Sequence, residues 1–246
     1  MDCDILHLHH PKYLIFTKHI KAKKIVLTHH GYYKNPYSCD YKFSETYVSH
    51  FLKDFTNNTQ GYVVYNPIPM IEYPLTQNKK REYLFFIGAC DKKVKRLDIA
   101  IEVAEKSNHK LIVAGTASQS LKSYLSTLAF VEYIGEVNQT EKLKLFSKSK
   151  AVICPNDSPE AFCLVAAEAN AVGIPVIASN NGGLPEVIGN NISGYICYSL
   201  NDYLNAITKV NTLNVNKVRN YTKSKFDISI ISNDYLSLFN QLLNEK

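Results

Sequence analysis

No run of about 18 apolar residues occurs in the 246-residue sequence, so no membrane-spanning helix is predicted. The amino-terminal MDCDILHLHHPK lacks the basic, apolar and small-residue regions of a secretory leader, and a cytoplasmic protein is expected. The six cysteines, at 3, 39, 90, 154, 163 and 197, show no Cys-x-x-Cys spacing. Reduced, partly buried thiols are therefore expected in place of disulfides or a zinc cluster. No Gly-x-Gly-x-x-Gly follows any predicted strand, which argues against an NAD enzyme or a related epimerase. A basic stripe interleaved with aromatics is also missing, although the net charge is +6. The lysines are scattered, with clusters at 21–24, 79–81 and 92–96, so no nucleic-acid partner is expected; the charge suits an anionic small molecule or an anionic membrane surface.

A hydrophobic content of 46% with 20% charged residues describes an ordinary globular protein able to bury a full core. Short β-branched runs alternate with helical segments, which predicts an α/β fold with parallel sheets in two units. The first, residues 1–75, has predicted strands over 5–8, 25–28 and 62–65 and a helix over 44–55. The second, 76–246, reads as a doubly wound domain. Its predicted strands cover 84–87, 110–114, 131–134, 151–154 and 176–178, with one more near Tyr195. Its predicted helices cover 97–106, 118–127, 140–147, 200–210 and 228–245. Three prolines within 66–78 suggest a linker between the units.

The most informative stretch is 158–188, SPEAFCLVAAEANAVGIPVIASNNGGLPEVI. It reads as loop, helix, tight turn, buried strand and glycine loop. Glu160 and Glu168 lie eight residues apart, a little over two helical turns, so both are expected to face one crevice. The helix start leaves backbone N–H groups unpaired and partly positive, so the amides around Phe162, Cys163, Leu164 and Val165 are candidates to cradle a phosphate. The carboxylates would then accept hydroxyls, Glu160 from a sugar and Glu168 from a ribose. Together they describe a nucleotide-sugar pocket.

A glutamate pair with seven residues between, followed by a glycine loop and Pro185-Glu186, resembles the retaining glycosyltransferases of family 4. The likeness extends to YLFFIG (83–88) with Lys95-Arg96, to LIVAGTA (111–117), VEYIGEV (131–137) and AVICPNDSPEAF (151–162). The resemblance implies a GT-B fold: a complete carboxyl-terminal Rossmann-like domain, 76–246, behind a partial amino-terminal Rossmann-like domain, 1–75. DCDILHLHHP and KKIVLTHHG are similar to the family's Asp-x-x-His-x-His and Thr-x-His-Gly segments, which lie late in its first domain. The resemblance therefore implies about a hundred residues of the family pattern ahead of these segments, and a partner subunit is one expected way to supply them.

The same resemblance assigns roles. Lys95 would neutralise the leaving diphosphate, a transition-state effect that needs no metal; Gly88, Arg96, Gly182 and Gly183 would line the donor site, and His9, with His30 beside it, would meet the transferred sugar or the acceptor. His7 and His9 share a predicted strand face, but no third ligand with suitable spacing follows, so no metal or other cofactor is expected. Two departures stand out: Ala89 occupies the place of the family's arginine, and Cys163 that of its glycine. The implied reaction moves a sugar from a nucleoside diphosphate to a hydroxyl of a sugar, glycolipid or glycan, with retention, by front-face displacement. Glycolipid acceptors would place the protein peripherally at a membrane. The alternative is an impaired donor-binding remnant, or one subunit of a split transferase.

Overall fold

The computed structural model describes residues 2–32, 42–78 and 80–245. Cys39 and Lys79, singled out above, lie outside them. The chain divides into two compact units, one of residues 1–67 and 226–246 and one of residues 68–225. The partition expected from sequence, at 75/76, differs at both ends.

The first unit contains β1 (Asp2–Leu8), a 3-10 stretch (Pro11–His19), β2 (Lys21–His29), β3 (Ser44–Tyr47), α1 (His50–Phe55) and β4 (Tyr62–Val63). The strands pair in parallel, in the order β1-β2-β3-β4. One expectation fails here. Residues 44–47 form a strand, and the helix begins only at His50, because Thr46 and Tyr47 favour the sheet and Ser49 caps the helix by accepting the Leu52 amide at 3.0 Å. The other strands contain or overlap the segments predicted for them.

The second unit is built from β5 (Tyr83–Ile87), α2 (Leu97–Lys106), β6 (Leu111–Ala114), α3 (Gln119–Leu125), β7 (Val131–Gly135), α4 (Gln139–Lys148), β8 (Ser149–Cys154), α5 (Leu164–Val172), β9 (Val176–Ser179), α6 (Leu184–Val187), β10 (Gly194–Cys197), α7 (Leu200–Lys209) and α8 (Val215–Phe226). The strand order is β10-β9-β8-β5-β6-β7, all parallel. This is the doubly wound order, with its reversal between β5 and β8. Leu84, Val113, Ala151, Ile153 and Ile177 are fully buried among Ala100, Val103 and Ala104 of α2. Such strands read as unbroken apolar runs because both sheet faces are covered. α8 escaped prediction because its sequence, VNKVRNYTKSKF, carries few apolar residues. The expected linker is packed from Ile68 onward: Ile68, Met70, Tyr73 and Thr76 are buried, and Arg219 donates to the carbonyls of Met70, Tyr73 and Ala171.

The last helix, α9 (Ile228–Asn244), belongs with the first unit, although sequence reasoning placed it in the second. Ile231, Tyr235, Leu238, Phe239 and Leu242 recur at helical spacing. They pack with Val26 and Val64 and against Ile5, Tyr62 and Tyr65, so one face of the four-stranded sheet is covered by the chain's own carboxyl end. Lys24 adds a hydrogen bond to the Glu245 carbonyl at 3.0 Å.

Candidate functional site

In a doubly wound sheet the crevice lies beyond the carboxyl ends of the strands where their order reverses, because the two loops there leave toward opposite faces. Here those loops follow β5 and β8. The first carries Gly88, Ala89 and Lys95; the second carries Asn156, Asp157 and Glu160. The Asp157 amide donates to the Val94 carbonyl at 2.9 Å, tying the loops together. Beside that link Lys95 Nζ donates to Glu160 Oε1, and Asn156 Nδ2 donates to the same oxygen at 2.6 Å. The Lys95 and Glu160 side chains are 30% and 22% exposed, so the pair is partly withdrawn from water. Burial is the largest influence on Lys95 and lowers its pKa, but the hydrogen bond and charge of Glu160 outweigh it and leave the net shift upward. Lys95 is a firmly held cation.

Glu160 is placed by a clamp that spacing alone did not show. It lies four residues before α5, in a parallel bridge with Gly182, and the Gly183 amide donates to its carbonyl at 2.6 Å. Only Glu168 is helical, because the helix begins after Cys163, so Glu160 stands in the loop ahead of the helix start. Gly182 has φ +64°, and a Cβ there would run into the Glu160 backbone. Gly182→Ala is expected to cost at least about 1–2 kcal/mol and to unseat Glu160; thermal melting of the variant checks the first effect. Asn156, buried at 5% exposure, was not recognised from sequence. Its carbonyl accepts from Ser179 Oγ at 2.7 Å, which fixes the side chain that holds Glu160.

Glu168, the fifth residue of α5, has both oxygens engaged. Oε1 accepts from the Tyr73 hydroxyl at 2.9 Å and Oε2 from Lys142 Nζ at 2.7 Å. Burial, then the Glu168 charge, push the Tyr73 hydroxyl up to about 12, so it stays a donor. Neither partner was evident from sequence; both lie far from Glu168 along the chain. A carboxylate offers about four lone-pair sites, which leaves acceptor capacity beyond these two bonds.

The other expected residues fall as follows. Phe162 is buried, Cys163 half-buried and Leu164 49% exposed at the first turn of α5. Cys163 adopts φ +76°, a left-handed conformation that favours glycine. Its hydrogen bond to Cys154, together with burial, pushes the Cys154 thiol well above its usual range. Gly88 follows β5, and a Cβ there would meet only the Phe86 ring. The glycine the packing demands is Gly115, φ +124°, whose Cβ would strike the Gly88 carbonyl. Arg96 is held by Asp98, with Nη2–Oδ2 at 2.9 Å, and by Asp157 at 3.5 Å, so its charge is already shared by two carboxylates. A cavity of about 610 Å³ beside α2 is lined by Asp91, Lys92, Lys93 and Arg96; neither Glu160 nor Glu168 lines it.

His9 lies in the first unit, at the end of β1. Its Nδ1 is 3.0 Å from His30 Nε2, and His30 Nδ1 is 3.1 Å from Asn66 Oδ1. The His7 ring lies tilted against that of His9, with centroids 4.2 Å apart, and His7 bonds Thr28 Oγ1 at 2.7 Å. Burial, then the neighbouring His9 and His30, lower the His7 pKa from 6.5 to about 4. The unfolded chain thus binds more protons at this site between those values, and stability present above pH 6.5 is lost as pH falls toward 4. Acid unfolding of wild type against His7→Gln, which is expected to flatten that loss, measures the contribution.

The model of glycosyl transferases group 1 matches residues 71–225. The chain belongs to that family. An uncharacterized glycosyltransferase of Methanocaldococcus jannaschii is 35% identical over 107 residues, 41% of this chain and 27% of that protein. The D-inositol 3-phosphate glycosyltransferase of Mycobacterium leprae is 31% identical over 119 residues, 44% of this chain and 28% of that protein. The matched stretch is thus less than a third of either relative. Among solved structures, a glycosyltransferase involved in avilamycin A biosynthesis superposes with TM-score 0.80 at 20% identity, over 99% of this chain and 75% of that one. Anabaena HepE in complex with UDP gives 0.77 at 15%, over 97% and 79%. At these identities the likeness establishes the fold, which is α/β of the GT-B type.

Proposed function

We propose that this chain binds a nucleoside-diphosphate sugar and transfers the sugar to a hydroxyl with retention and without a metal. The observation that carries the reading is the Lys95–Glu160 pair at the strand-order reversal, braced by Asn156 and beside the first turn of α5. Lys95 would exchange Glu160 for the diphosphate and, with the Leu164 and Val165 amides, hold the charge that develops as the glycosidic bond breaks. Glu160 would then be released to orient the sugar hydroxyls, and Glu168 would accept from the ribose. His9 would meet the transferred sugar or the acceptor. The leaving phosphate oxygen would take the acceptor proton. That Anabaena HepE has been solved with UDP-glucose supports a donor of this class.

One observation favours a second reading, donor binding with little transfer by the chain alone, or transfer that needs a partner subunit. Ala89 offers no charge, and Arg96 is shared between Asp98 and Asp157, which concentrates diphosphate neutralisation on Lys95. Calorimetric titration with a panel of nucleoside-diphosphate sugars, with donor hydrolysis followed in the same samples, separates the two. Saturable binding of one donor with turnover favours the transferase and binding without turnover the second reading; no binding by a folded sample sinks both.

A further inference from the structure

At the other end of the same sheet, five residues of β5 or about 16 Å away at about 3.3 Å per residue, the amino ends of four strands surround a second cavity. It measures about 540 Å³, and its lining includes Arg81, His109, Lys150, Thr76, Asn78 and Asn211. Arg81 precedes β5, His109 precedes β6, Lys150 is the second residue of β8 and Pro175 precedes β9. No residue of the lining is acidic. Among the described residues, neither Arg81 nor Lys150 forms an ion pair with a carboxylate.

Their hydrogen bonds leave donors to spare. Arg81 Nη1 donates to the Ser149 carbonyl at 3.3 Å, one contact for a guanidinium with five N–H groups. Lys150 Nζ is 2.8 Å from His109 Nε2, while His109 Nδ1 is 2.7 Å from the Ser107 carbonyl. A carbonyl can only accept, so His109 carries its proton on Nδ1, and Nε2 accepts from the lysine. The imidazole is neutral, and Lys150 keeps its charge and two further N–H groups. Burial lowers the pKa of both Arg81 and Lys150, with no opposing carboxylate among the causes. Two partly desolvated cations facing one polar cavity, without a counter-charge, are unfavourable unless an anion completes them.

We propose that this cavity is a binding site for a small phosphomonoester, its phosphate held between Arg81 and Lys150. Two positive charges match a phosphate dianion, and the planar guanidinium suits two phosphate oxygens at once. The volume falls in the range of small-molecule sites, roughly 300–1,000 Å³, and exceeds the need of a bare phosphate. The side-chain amides of Asn78 and Asn211 offer partners for hydroxyls on the remainder of the ligand. None of these residues belongs to the donor site, so the assignment is independent of the function proposed above.

The test is calorimetric titration of the intact chain at constant ionic strength with inorganic phosphate, with glucose 6-phosphate as a monoester dianion, and with glycerophosphoglycerol, a singly charged diester like a lipid headgroup. Saturable binding of the monoester, tighter than phosphate and at least tenfold tighter than the diester, is expected. Arg81→Gln and Lys150→Gln should each weaken it at least tenfold. Should either variant fail to fold, Asn211→Glu decides the matter, since it sets a carboxylate at the exposed rim and should abolish binding in a folded chain. Absence of saturable binding of both phosphate and monoester, or unchanged monoester affinity in Asn211→Glu, overturns the proposal. Equal affinity for the diester overturns the monoester assignment.

Discussion

Replacing Lys95 with methionine is expected to lower the rate of sugar transfer by about 10²- to 10³-fold, the effect of removing one group aimed at transition-state charge. The magnitude follows from isolation. With Ala89 uncharged and Arg96 engaged by Asp98 and Asp157, Lys95 is the cation that bonds Glu160 at the reversal between β5 and β8, while Lys92 and Lys93 of the same loop line the cavity beside α2, which Glu160 does not. The variant also leaves Glu160, at 22% exposure, without its ammonium partner, and this carboxylate would then repel an arriving diphosphate. UDP affinity should fall as well. Glu160→Gln should act in the opposite sense on UDP, because Lys95 no longer has to leave a charged partner, while transfer still drops for want of an oriented sugar. Measuring UDP affinity and turnover in both variants makes the reading vulnerable: equal UDP affinity in wild type and Lys95→Met would remove Lys95 from the diphosphate site.

Glu168→Ala is expected to be the most destabilising single change at the site. The Lys142 and Glu168 side chains are 16% and 13% exposed, so the alanine leaves a nearly buried ammonium without its counter-ion and the Tyr73 hydroxyl without its acceptor. Breaking a buried pair from one side costs about 3–5 kcal/mol, which for a chain of this size lowers the melting temperature by on the order of 10 °C. Stability and donor binding must then be read separately. Lys142→Met removes the other half of the pair but keeps the carboxylate that would accept the ribose. Comparable losses of stability in the two variants, with donor binding lost only in Glu168→Ala, are expected. A folded Glu168→Ala chain that binds donor normally would confine Glu168 to bracing the link between Tyr73 and α4.

Much of this was legible in the sequence. Runs such as YLFFIG and AVICPN declare buried parallel strands because both faces of such a strand are apolar, and the regular alternation with helices allows little but a doubly wound sheet. The family resemblance also named Lys95, Glu160, Glu168 and Gly182 as donor-site candidates, of which the structure brings Lys95 and Gly182 to Glu160. The division of 44–55 into strand and helix was hidden because a four-residue strand leaves a weak periodic signal, and the side of the chain on which α9 packs was hidden because an apolar stripe does not say which sheet it will cover.

The sequence by itself determined the class of fold, the alternation of most of its strands and helices and the identity of the charged groups near the first turn of α5. Only the tertiary structure decided which charges meet. β5 and β8 are neighbours although two strands intervene in the chain, so Lys95 finds Glu160 across 65 residues and Tyr73 finds Glu168 across 95. Spacing along a helix reaches three or four residues; these pairings, like the meeting of Arg81, His109 and Lys150, depend on the order in which strands add to the sheet.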